Sequence, residues 1–255
     1  MVAGCYTLRD FPLERASMDQ SIIIPSRFNG PPDSGNGGYS CGVLAGFIDG
    51  PARVRLHVPP PLDTPLEVKT GEGASVQMYD GDTLVGTALP APLQMDVPAA
   101  PSLAQAAEAS SRYVCYENHV FPSCFVCGPG RPCHDGLNLF AGPVEDWSLL
   151  ASPWNLSADL LDEQGYVLPE IVWSALDCPG YFACMGKNVR PALLGELHAS
   201  LLGPVPGGEP LLVCAWPLGE DGRKLFAGTA VANAEGKILA KARSTWIQSD
   251  LGGAA

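Results

Sequence analysis

The sequence predicts an α+β protein made of two tandem copies of one unit, each a central helix followed by three or four antiparallel strands. Three observations carry this. Blocks of the chain repeat in the same order, short β-prone runs alternate with glycine-containing turns, and each copy holds one apolar segment that suits a buried helix. The 255 residues include 29 glycines and 25 prolines, which fit tight turns and strands better than long solvated helices.

The repeat is read from three matches. Pro61-Leu62-Asp63-Thr64-Pro65-Leu66-Glu67-Val68 lines up with Pro206-Gly207-Gly208-Glu209-Pro210-Leu211-Leu212-Val213. Leu56-His57 and Leu197-His198 precede these blocks, and 76–87 with Gly81 parallels 231–242 with Gly236. The second copy adds roughly ten residues around Gly219-Glu220-Asp221-Gly222-Arg223, a longer hairpin. Three matches in one order make an internal duplication.

In the first copy the apolar segment 39–48 is the expected helix. The proline-rich stretch 89–111, ending in Ala104-Gln105-Ala106-Ala107-Glu108-Ala109, reads as an extended connector leading into a modest helix. The divisions are therefore 1–97 for the first half, 98–114 for the linker and 115–255 for the second half. In the second copy 169–185 is the expected helix, with Pro169 at the favoured first position. Strands are expected over 211–216, 225–232 and 238–247.

Four motifs in the second copy resemble a known family. They are Cys124-Phe125-Val126-Cys127-Gly128, Asp135-Gly136-Leu137-Asn138-Leu139, Ile171-Val172-Trp173-Ser174-Ala175-Leu176-Asp177 and Gly236-Lys237-Ile238-Leu239-Ala240-Lys241-Ala242. Their order and spacing resemble the phenylacetyl-CoA-type branch of hotdog acyl-CoA thioesterases, over most of 115–248 and more faintly over 20–90. The resemblance implies a tandem (double) hotdog, each half a curled antiparallel sheet wrapped around its helix. The family carries His-Gly-Gly at the helix N-terminus and an acid two turns later. Here the first half has Asn36-Gly37-Gly38 but Ala45 at the acid position, while the second has Asp177 but Leu168-Pro169-Glu170 in place of the glycines. A fused pair that keeps one glycine end and one acid retains one composite site.

The chemistry this implies is thioester hydrolysis. Free N–H groups of Gly37 and Gly38, at the positive end of a helix, would hold the developing oxyanion. Asp177 would act as general base or nucleophile, and Asn36 would orient substrate or water. Tyr39 and Trp173 are the expected walls of a substrate groove, and Arg27, Lys187 and Arg190 the expected holders of coenzyme A phosphates. A plainer reading stands beside each: the glycine run as a flexible turn, and Asp177 as the cap or end of a helix before Cys178-Pro179-Gly180. Two other functions are weighed, a hydratase or dehydratase, which needs a helix histidine this chain lacks, and a non-catalytic acyl-thioester-binding module.

Cys124, Cys127 and Cys133, with His134 next and His119 nearby, contain enough ligands for a tetrahedral zinc ion. No second Cys-x-x-Cys follows, and the resemblance accounts for the first pair without metal. The expectation is a structural turn or redox-sensitive thiols, with no cofactor beyond the coenzyme A of the substrate. Cys5, Cys41, Cys115, Cys178, Cys184 and Cys214 stand among apolar neighbours and read as small buried hydrophobes. Fifteen basic against 27 acidic residues, a net charge of -12, argue against nucleic acid or an anionic membrane surface as partner. No apolar run approaches the ~20 residues of a membrane span, and the N-terminus lacks a signal-peptide pattern. A cytoplasmic protein with reduced cysteines is the expectation, and further pairing into a homo-oligomer stays open.

Overall fold

The computed structural model describes residues 20–132 and 135–248, so Cys5, Cys133 and His134 lie outside the described residues. The first half runs through β1 (Gln20–Ile22), α1 (Gly37–Ala45), β2 (Ala52–Leu56), β3 (Leu66–Thr70), β4 (Val76–Asp80) and β5 (Thr83–Pro90). Next come α2 (Leu103–Ser110), β6 (Gly142–Pro143), β7 (Leu150–Trp154), α3 (Pro169–Ala175) and α4 (Cys178–Met185). The chain finishes with β8 (Ala192–Leu201), β9 (Leu211–Asp221), β10 (Lys224–Asn233) and β11 (Ile238–Gln248).

All strands join one antiparallel sheet in the order β1-β3-β4-β5-β2-β8-β11-β10-β9-β7-β6. Outward from β2 the order is β5, β4, β3, and outward from β8 it is β11, β10, β9, so each side of the junction repeats the other. The junction is the β2–β8 pairing, with Ala52 opposite Ala199 and Arg55 opposite Glu196. Gly81 and Gly236 turn the equivalent hairpins with φ of 54° and 80°, a region open to glycine because it has no Cβ. α1 packs against β2, β5 and β8, and α4 against β7, β9 and β10. No helix among the described residues is long and apolar enough to cross a membrane.

Two features depart from the sequence reading. The predicted helix 169–185 is broken into α3 and α4, with Asp177 between them at φ −90° and ψ −88°. Pro179 explains the break: it has no N–H for the Ala175 carbonyl, and its ring would collide with that carbonyl in a continuous helix. The Leu176 carbonyl left over at the break accepts the Thr229 hydroxyl at 2.8 Å. The second departure is that α2 is more than part of a connector. A capping box between Ser102 and Gln105 starts it, and it lies against the outer face of β7 and β9, covering Leu212, Cys214 and Trp216. With both faces covered, 211–216 loses the in–out alternation that 52–55 keeps on a one-sided strand.

The two halves also meet through their helices. A Cβ on Gly42 would stand 2.6 Å from Glu170 Cα and 2.7 Å from Trp173 Cβ, so α1 and α3 touch where α1 has no side chain. Gly42→Ala is expected to lose about 1–3 kcal/mol to overpacking, whereas Gly203→Ala, with open space around its Cβ, should stay within about 0.5 kcal/mol of wild type. Urea unfolding of the two variants checks this; equal midpoints would remove the helix contact as a constraint.

Candidate active site

α1 begins at Asn36, whose side-chain oxygen accepts the Tyr39 N–H at 2.9 Å in ordinary N-cap fashion. The other end of the same amide donates to Asp177 Oδ2, also at 2.9 Å. Asp177 reaches this point because the break between α3 and α4 turns it out of both helices and toward α1. There Oδ2 also accepts the Gly38 N–H at 2.9 Å. A Cβ on Gly38 would lie 2.5 Å from Asp177 Cβ and 2.7 Å from the Trp173 carbonyl, so glycine is what lets the carboxylate seat against the helix end. The Gly37 amide has no partner among the described residues.

Asp177 is 2% exposed, and its second oxygen, Oδ1, is buried without a partner among the described residues. Burial pushes its carboxyl up to about 7, against the Gly38 N–H; Cys124 adds to the rise and Asn36 opposes it. A carboxyl held near neutrality with one oxygen unengaged is equipped to take a proton. Asp177, Asn36 and Gly37 line one cavity of about 300 Å³, walled by Leu56, Phe121, Tyr181, Phe182, Leu194 and Trp246. Apolar walls with a few convergent polar groups are the usual make-up of a small-molecule site.

No protein-family model matches the sequence, and no curated protein matches it. Solved structures do. A candidate thioesterase from Novosphingobium aromaticivorans DSM 12444 superimposes with a TM-score of 0.60 at 12% identity, over 94% of this chain and 99% of that one. The tesB protein of Mycobacterium avium subs. paratuberculosis gives 0.56 at 14% identity, over 86% of this chain and 89% of that one. A conserved protein with a hot dog fold from Alicyclobacillus acidocaldarius gives 0.56 at 11% identity, over 90% and 92%. The fold is a hotdog.

Within this hotdog the structure brings Asn36, Gly38 and Asp177 into direct contact and sets Gly37 beside them, but it alters the part Gly38 plays. Its missing side chain makes room for Asp177 rather than for an approaching ligand, and its amide is already engaged. Tyr39 does not line the cavity; it is buried and stacked on Phe28, with centroids 4.0 Å apart. Trp173 is likewise buried, against α1. Arg27 is paired with Asp135 and Asp159. Lys187 and Arg190 are exposed in the loop before β8, where the Arg190 carbonyl accepts the Tyr181 hydroxyl at 2.7 Å.

The cavity wall also holds His57 and Cys178, given no site role from sequence, and His119, named from sequence only beside the cysteine cluster. His57 bonds Thr87 at 3.0 Å, and His119 Nδ1 accepts the Phe121 N–H at 2.9 Å. Cys178, read as an isolated hydrophobe, instead packs its sulfur 3.7 Å from that of Cys124. Its one sequence signal is adjacency to Asp177.

Asn36→Ala removes an N-cap and one of the two donors to a buried carboxylate. The expected loss is roughly 2–4 kcal/mol, about 1 from the cap and the rest from Asp177. Chemical denaturation measures it, and a loss below that of the cap alone would show that the Asn36–Asp177 bond contributes nothing.

Proposed function

We propose that this chain is a thioesterase-like hydrolase of a small or medium acyl-CoA, a tandem double hotdog with one composite site at the meeting of α1 and the α3–α4 break. The halves are 1–97 and 115–255, joined through 98–114. One observation carries the reading: a buried carboxylate with a free oxygen, supported on the N-terminus of a helix from the other half, in an apolar cavity. The thioesterase name of one of the solved structures, at low identity, supports the same class.

In this reading the Gly37 N–H, at the positive end of α1, receives the thioester carbonyl oxygen as it gains charge. Asp177 Oδ1 takes the proton of a water whose oxygen bonds to the acyl carbon. The C–S bond then breaks, and the proton passes to the departing coenzyme A sulfur. Asn36 holds Oδ2 and so fixes which carboxylate oxygen faces the water. A reducing cytoplasm fits the seven free cysteines among the described residues.

A second reading, a non-catalytic acyl-thioester-binding module, is favoured by one feature: Asp177 already satisfies the Gly38 amide, as a structural cap would. Asp177→Asn separates the two. It keeps the acceptor for Gly38 and the shape of the site, so folding and acyl-CoA binding should persist while turnover falls roughly 10²–10⁴-fold. Thiol release across a panel of acyl-CoA chain lengths provides the measurement. Unchanged turnover sinks Asp177 as the base, and an inactive but binding wild type establishes the module.

A further inference from the structure

Three cysteines that come from two distant parts of the chain meet at the back of this cavity. Cys124 and Cys127 lie on the loop before Gly128, and Cys178 is the first residue of α4. Their sulfurs all lie within 4.8 Å of one another and all three side chains are buried, which sets them apart from Cys41 and Cys214, buried singly elsewhere. The Cys124–Cys178 separation is 3.7 Å. A zinc–sulfur bond of about 2.3 Å gives a tetrahedral S···S edge of about 3.8 Å, so this is the spacing of two thiolates on one ion.

The loop is built to hold that spacing. Within it the Gly128 N–H returns to the Cys124 carbonyl at 3.0 Å. A Cβ on Gly128 would fall 2.4 Å from the Pro122 carbonyl, so only glycine closes this turn. The Phe125 N–H bonds Asn29 at 2.8 Å, and the Leu137 and Leu139 N–H groups bond Phe125 and Val126 at 2.8 and 2.9 Å. Arg131, nearly buried, ties Asn29, Ser123 and Asp135 together from beneath.

A second observation points to a ligand. Asp177 Oδ1, buried and unpartnered, lines the same cavity beside the cluster. His119 has no free ring lone pair for a metal as it stands, because Nδ1 accepts the Phe121 N–H and the ring proton therefore sits on Nε2.

We propose that Cys124, Cys127 and Cys178 bind one zinc(II) ion as thiolates, on the wall of the cavity next to Asp177. Binding releases the thiol protons to solvent and changes no oxidation state. Three thiolates leave a tetrahedral ion one further position, open to water or another ligand. Such a site joins the cysteine loop to α4 and fixes the break that presents Asp177. It does not depend on the thioesterase reading, because its readout is metal content rather than turnover.

The test uses the full chain, purified under reducing conditions without chelator, and measures bound zinc by elemental analysis. One equivalent per chain is expected, and cobalt(II) added to the metal-free protein should give a thiolate-to-cobalt charge-transfer band. Cys124→Ser, Cys127→Ser and Cys178→Ser should each weaken zinc binding roughly a hundredfold or more, while Cys184→Ser and Cys214→Ser keep it. Should a variant fail to fold, wild-type thiol counting decides: zinc should protect three cysteines from a thiol-reactive probe. No uptake by the wild type overturns the proposal. So does loss of zinc in Cys133→Ser or His134→Ala with retention in Cys178→Ser, or a Cys124–Cys178 disulfide that persists in protein purified under reducing conditions.

Discussion

The seat of Asp177 on the N-terminus of α1 is the contact to which the rest of the interior answers. Burying a carboxylate is expensive unless its oxygens are bonded, and here the donors come from the other half of the molecule, through Gly38 and Asn36. That single requirement dictates several others. Position 38 has to lack a side chain, α1 and α3 have to touch at Gly42, and the chain has to break at Pro179 so that Asp177 leaves the helical path. The β2–β8 pairing holds the two halves in register while these contacts form.

The arrangement also explains why the two equivalent places differ. The helix end of the first half has the glycines, and the acid of the second half reaches across to it. At the reciprocal position α3 opens on Leu168-Pro169-Glu170, without glycine to admit a carboxylate, and Ala45 has none to offer. The contact therefore needs both halves of the chain.

Much of the strand layout could be read from sequence, because glycine turns and β-branched runs are local signals: Gly81 and Gly236 marked their hairpins correctly. The pairing of Asn36 and Gly38 with Asp177 came from the complementary defects of two motifs, not from any local pattern. What escaped notice is non-local. Cys178 and Cys124 stand 54 positions apart and meet only after the helix breaks. The cover provided by α2 was hidden by its alanines, which suit a linker and a close-packed helix equally, although the Ser102–Gln105 capping box stood in the sequence to mark its start. Tyr39 and Trp173 looked like groove walls because they neighbour the motifs; helical geometry turns them away from the cavity.

The sheet has a further property that follows from where its two halves are joined. Its longest strands, of eleven residues, lie inside it with a neighbour on each side, while among the described residues the margins are β1, three residues long, and β6, two. β6 contains Pro143, which offers no N–H, and α2 presses on it so closely that Gly142 has no room for a Cβ. By fusing at the middle, the chain has spent its extended edges on itself and left little open backbone for a foreign strand to copy. A broad sheet is thus kept from polymerising by the brevity of its borders.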